Sequence, residues 1–242
     1  MSSIDLPTPA RVLAIGAHPD DVEFGCGGTI AKWAKAGAEV ELLVLTDGSK
    51  GTWDPDADAR ALVRQRATEQ ASAAAMLGAV RTEHLGAVDG ELTETDAARA
   101  FICEAIRRVQ PTVVVGHDPW KRYRLHPDHR HAGFLTVDAL VDARDPHFCP
   151  DVDLAPHRPA HLLLFEADEP DHVERIDATI DTKIDALLCH RSQWRSTLGI
   201  DPGGDVTREI EAFRGRIHTT AVADAALAGA VLGEAFKLVD EI

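Results

Sequence analysis

Basic residues are in short supply: 25 Lys and Arg stand against 40 Asp and Glu, a formal charge of −15 over 242 residues. Nucleic acid and anionic membrane both need clustered positive charge, so neither is expected as a main partner. Cysteine is sparse too, with four residues (26, 103, 149 and 189) far apart and no C-x-x-C pair. That argues against a disulfide framework or a thiolate zinc site and for free thiols in a reducing, cytoplasmic setting. No apolar run reaches membrane-spanning length, and the polar, proline-punctuated start at 1–9 lacks the pattern of a secretory signal. No G-x-S-x-G elbow is present, so a covalent serine mechanism has no support.

What the chain does have is a hydrophobic content of 45%, enough for one substantial core; a single domain over 1–242 is expected. Near the start, Val12-Leu13-Ala14-Ile15 reads as a buried strand closed by Gly16. His18-Pro19-Asp20-Asp21 follows at once, and Gly25-Cys26-Gly27-Gly28-Thr29 then opens a helical pattern, Thr29 to Ala36. The place just past the carboxyl end of a strand is where open α/β folds bind ligands. An imidazole with two carboxylates there proposes a metal site, suited to Zn²⁺, with Fe²⁺, Co²⁺ or Mn²⁺ as alternatives. The competing reading is that the carboxylates only cap the following helix. Glycines spaced G-x-G-G do not make a dinucleotide fingerprint, and the acids upstream would repel a pyrophosphate. They are better suited to close backbone packing beside the site.

Strands are further expected at 40–46, 83–85, 112–115, 161–165 and 172–175, and helices at 58–77, 96–109, 126–141 and 177–190, with a mostly helical tail. Alternation of this kind implies a parallel sheet with helices on both faces. His126-Pro127-Asp128-His129 has the form of a helix start, with proline at the first helical position and two imidazoles three residues apart on one face. Both histidine motifs follow strands and so fall on one edge of the sheet. Arg66 and Glu69, one turn apart, have the spacing of a helix ion pair. The remaining histidines carry no motif; His117, at a strand's carboxyl end, is the one among them best placed for a role in the site.

AHPDDVEFGCGGT together with HPDHR resembles the PIG-L/LmbE family of zinc-dependent N-deacetylases. Arg66 to Gly78 resembles that family's R-x-x-E-x-x-x-A-x-x-x-L-G helix, 85–90 its next loop, and Lys183 to Gln193 its late K…AL…H-x-S-Q element. The resemblance implies an α/β, Rossmann-like three-layer sandwich with a mostly parallel sheet. It implies a hydrolase that removes the N-acetyl group of an N-acetylglucosamine-type conjugate by attack of a zinc-bound water. The alternatives are the same amidase chemistry on a thiol conjugate or natural product, or a non-catalytic metal- or sugar-binding protein. His18, Asp21 and His129 would then be the metal ligands and Asp20 the general base. His126 would assist the oxyanion or the leaving amine, Asp128 would orient His126, and Arg66 and Asp89 would contact the sugar. A one-residue insertion, Leu125, separates Tyr123-Arg124 from the second motif where the family has Tyr-Gly, which puts any role of Tyr123 in doubt. The expected partner is a small N-acetylated amino-sugar conjugate, and a homo-oligomer is left open.

Overall fold

The computed structural model describes residues 3–240 and 242. Eight strands form one sheet: β1 (Ser3–Ile4), β2 (Arg11–Gly16), β3 (Glu39–Thr46), β4 (Arg81–Ala87), β5 (Val113–His117), β6 (His161–Phe165), β7 (His172–Arg175) and β8 (Gly233–Asp240). Their order across the sheet is β1-β7-β8-β6-β5-β2-β3-β4. Only β8 runs against the rest, pairing antiparallel with β6 and β7. The helices are α1 (Asp21–Lys35), α2 (Ala59–Leu77), α3 (Asp96–Val109), α4 (Pro127–Arg144), α5 (Ile180–Leu188) and α6 (Val206–Ala226).

Strand periodicity builds the two core layers. Alternate residues of a strand point to opposite faces, and β2 follows this. Leu13 and Ile15 pack with Leu43, Ile102 and Leu135, under α3 and α4. Val12 and Ala14 pack with Leu42, Ile30, Trp33 and Leu77, under α1 and α2. Both faces of the central strands are thus covered, which is why these strands read as unbroken apolar runs. Local signals set the helix ends. Asp58 caps α2 by accepting from the N–H groups of Arg60 and Ala61, and Gly78 closes it in the left-handed region at φ 81°. Thr95 caps α3 through the N–H of Ala98.

The tail and α1 differ from expectation. The tail is not helical to its end: α6 stops at Ala226 and 233–240 is β8. The run Glu234-Ala-Phe-Lys237 has ordinary helix formers, but Phe236 and Leu238 turn to one core layer and Val239 to the other, as a strand requires. Helix α1 begins at Asp21 rather than Thr29 and breaks its regular geometry at Cys26 (φ −150°). The irregularity coincides with a polar anchor: the N–H groups of Gly28 and Thr29 donate to the buried Glu234 carboxylate at 2.9 and 2.7 Å. Lys183 of α5 compensates that charge at 2.6 Å. Two glycines here are steric requirements. A Cβ at Gly25 would lie 2.5 Å from the Phe165 ring, and one at Gly28 2.8 Å from Ile176.

Strand β2 lies between β3 and β5. The chain leaves β2 into α1 on one face and leaves β5 towards α4 on the other, so a crevice opens between them at the carboxyl edge. This is the topological switch point of the sheet. Among the described residues no helix is long and apolar enough to cross a membrane.

Candidate active site

The turn after β2 is tight. The His18 N–H donates to Asp21 Oδ2 at 2.7 Å, which draws that carboxylate back towards the strand end. Asp20 pays for the turn with a left-handed backbone, φ 100° and ψ −22°, and its side chain makes no helix-capping bond. Helix capping is therefore not what Asp20 does. Its side chain is buried.

The second motif starts α4 as its sequence implies: His126 is the N-cap, Pro127 the first helical residue, and the His126 ring is not used in capping. Helix geometry then brings His129 across the crevice. His129 Nε2 lies 3.2 Å from His18 Nδ1 and 3.4 Å from Asp21 Oδ1, and His18 Nδ1 lies 3.2 Å from Asp21 Oδ2. His126 packs edge-on to His18 with ring centroids 4.6 Å apart. Residues more than a hundred positions apart in sequence thus meet at one point.

Charge and burial in this cluster fit a divalent ion. Burial alone would keep the His18 ring neutral, but hydrogen bonds to the carboxylates of Asp128, Asp21 and Asp89 outweigh it and push its pKa up to about 12. Three carboxylates around one ring call for a positive charge. The neighbouring imidazoles do not supply it: burial holds His129 at about 3 and lowers His117 and His126. Their nitrogen lone pairs remain free to coordinate. Burial raises Asp21, but His129 and His117 beside it win and hold it well below the ordinary carboxylate range. Donor atoms of His18, His126 and His129 lie within 4.8 Å of one another, as do those of Asp21, His117 and His129. A divalent ion would supply that positive charge in place of the second His18 proton, and two imidazoles with an ionised carboxylate are the donor set of a three-ligand catalytic metal site.

Asp128 differs from expectation. It is fully buried, accepts from the N–H of Gly90 at 2.6 Å, and places Oδ2 3.1 Å from His18 Nε2. It therefore orients His18, not His126, in the arrangement that fixes the ring of a ligating histidine. Asp89 reaches the same nitrogen, Oδ1 to Nε2 at 3.2 Å, while its Oδ2 accepts from the Lys50 N–H. Arg66 does not pair with Glu69, which binds Ser192 and Gln65. Its guanidinium is buried and donates to the carbonyls of Pro19 and Gly48, with Asp20 Oδ2 3.4 Å away. Burial pushes Asp20 up to about 7, against the pull of Arg66.

No motif assigns His117. It is 1% exposed, its Nε2 lies 3.2 Å from Asp21 Oδ2, and its ring packs on His129 at 4.4 Å. Its only sequence signal was its place at the end of β5. Glu166, just past β6, stands 3.4 Å from His117 Nδ1 and pairs with Arg124. Lys121, from the basic run Lys121-Arg122-Tyr123-Arg124, donates to the Glu166 carbonyl as well. Tyr123 is 86% exposed, and so are most of Trp53 and Leu125.

A family described as PIG-L: GlcNAc-PI de-N-acetylase matches residues 13–140. The chain is 37% identical over 187 residues to a diacetylchitobiose deacetylase of Thermococcus kodakarensis, covering 76% of this chain and 70% of that one. It is 34% identical over 167 residues to a 1D-myo-inositol 2-acetamido-2-deoxy-alpha-D-glucopyranoside deacetylase of Kineococcus radiotolerans, covering 56% of this chain and 46% of the other. Among solved structures it is similar to the N,N′-diacetylchitobiose deacetylase from Pyrococcus horikoshii, with a TM-score of 0.84 and 31% identity over 96% of this chain and 84% of that one. The matched span holds both histidine motifs and every residue of the cluster, and the chain belongs to the PIG-L family of de-N-acetylases.

Proposed function

We propose that the protein is a zinc-dependent N-deacetylase that hydrolyses the acetamide of an N-acetylglucosamine-type conjugate. The observation that carries this reading is a buried carboxylate, Asp20, next in sequence to the donor Asp21 and in electrostatic contact with Asp21 and His18. A module that only bound a metal would have no use for it.

In this reading His18, Asp21 and His129 hold the ion. When bound, it supplies a Lewis acid that acidifies water and draws charge from the amide carbonyl. Asp20 accepts the proton that water gives up as its oxygen bonds to the carbonyl carbon, then returns it to nitrogen as the C–N bond breaks. Acetate and a free amine result. His126, neutral and on the open side of His18, donates its ring N–H to the carbonyl oxygen as negative charge builds there. Asp128 holds His18 from behind, and Arg66 keeps Asp20 and its turn in place. Asp89, lining the same crevice, is the acceptor proposed for a sugar hydroxyl.

The test is metal content and acetate release together. Purified protein should carry about one divalent ion, lose it and its activity to dipicolinate, and regain both with zinc. N,N′-diacetylchitobiose and an N-acetylglucosaminyl-inositol are the probes. Zinc-loaded protein that released acetate from no N-acetylated amino sugar would overturn the reading.

A further inference from the structure

We propose that Gln70 is a positioning residue for the Asp20 carboxylate, one jaw of a clamp on the Pro19–Asp20 peptide whose other jaw is Arg66. The proposal rests on the general-base reading of Asp20.

Arg66 and Gln70 are four residues apart on α2 and so share one face of that helix. They reach the two sides of a single peptide group. Arg66 Nη2 donates to the Pro19 carbonyl at 2.5 Å, and Gln70 Oε1 accepts from the Asp20 N–H at 3.0 Å. That peptide leads into the left-handed backbone of Asp20, φ 100°. A side chain with a Cβ resists this conformation, and it persists only where the surroundings over-determine it. With carbonyl and N–H both held, the peptide plane cannot rotate, and the Asp20 carboxylate is fixed relative to the donor cluster next to it.

The amide of Gln70 must face the right way, and Glu23 decides that. Gln70 Nε2 donates to Glu23 Oε1 at 2.7 Å. A flipped amide would set its NH₂ against the Asp20 N–H and its oxygen against a carboxyl oxygen, losing both bonds. Gln70 and Glu23 are completely buried, so solvent offers no substitute partner. Beyond them the fully buried His190 places Nε2 3.8 Å from Glu23 Oε2.

The test uses zinc-loaded protein, N,N′-diacetylchitobiose as probe, and five variants. Gln70→Met keeps length and volume but has no amide; kcat should fall about a hundredfold, the scale of a misplaced catalytic group, with KM within twofold of wild type. The d–d spectrum of Co²⁺-loaded protein should not change, because the ligands are undisturbed. Glu23→Leu should reproduce this loss, and Glu23→Gln, which keeps an acceptor oxygen, should restore most of the rate. In an Asp20→Asn background Gln70→Met should cost nothing further, which a merely structural role would not predict. A crystal structure of Gln70→Met should show Asp20 leaving the left-handed region. Unchanged kcat in Gln70→Met, an equal loss in the Asp20→Asn background, or a retained φ near 100° would each overturn the clamp. If the wild-type chain released no acetate, the functional reading would fall, and the backbone at Asp20 in the variant would still decide this inference.

Discussion

Replacing Asp20 by asparagine should move activity and stability in opposite directions. The side chain is nearly isosteric, and Arg66 keeps its bonds to the Pro19 and Gly48 carbonyls, so shape is preserved and basicity is lost. A positioned general base is worth about 10²- to 10⁴-fold, and turnover should fall by that much with metal content unchanged. Stability follows from burial, which raises the Asp20 carboxyl from 3.8 to about 7 despite Arg66. A carboxyl whose folded pKa lies above its unfolded one costs the fold nothing below about 3.8. The cost grows as pH rises and is complete above about 7. It amounts to at most ~4 kcal/mol, at about 1.4 kcal/mol per tenfold. Metal-free Asp20→Asn should therefore melt higher than metal-free wild type at pH 8, and the gain should shrink towards pH 4. The assays are thermal melts of dipicolinate-treated protein at both pH values, with zinc content and acetate release on reloaded protein. Near-wild-type turnover would remove the base, lost zinc would make Asp20 a ligand, and a lower melting point at pH 8 would refute the burial argument.

Much of the sheet and the two halves of the site were legible because each is encoded locally. Val12–Ile15 is apolar on both faces, so it reads as a covered strand, and the residues just past it fall at the carboxyl edge by topology alone. Pro127 announced the start of α4 and put His126 and His129 on one face. Less legible was whatever depends on partners far away in sequence. His117 has no motif, and only the pairing of β5 with β2 brings it to Asp21. The resemblance pairs Asp128 with its neighbour His126, yet its carboxylate turns to His18, 110 positions away, because the N–H of Gly90 holds it there. Arg66 and Glu69 have the spacing of an ion pair, but burial in the crevice sends the guanidinium to carbonyls that no helical pattern displays.

The β8 strand was hidden for a related reason. Its residues have ordinary helix propensity, and it is a strand because β6 and β7 offer it unsatisfied edges on both sides. Backbone pairing of that kind overrides propensity. The strand's role is also non-local: Glu234 at its start anchors the irregular turn of α1, and that helix begins with Asp21.

Further outcomes follow from the same geometry. His129→Ala should lose zinc, read by elemental analysis, whereas His126→Ala should keep it and lose turnover; equal zinc in both would end the division of roles. Arg66→Lys retains a charge near Asp20 but cannot hold the Pro19 and Gly48 carbonyls together. A loss of about tenfold or more in kcat with full metal content is expected, and unchanged turnover would show that the fork is not needed. The last case links packing to chemistry through Gly25→Ala. The added methyl would lie 2.5 Å from the Phe165 ring, and that ring packs edge-on against His117 at 4.4 Å. His117 in turn meets Asp21 at 3.2 Å. Overpacking of this kind costs about 1–3 kcal/mol, and here part of it should reach the metal site as weaker zinc retention in a chelator titration. Gly215→Ala is the control, because its Cβ would meet nothing within 4 Å and should stabilise α6 by up to about 1 kcal/mol without touching zinc. Adding Phe165→Leu to Gly25→Ala should recover zinc retention by making room. If Gly25→Ala lost stability but kept zinc as tightly as wild type, Phe165 would be core and nothing more, and the packing chain from α1 to the proposed ligands would be broken.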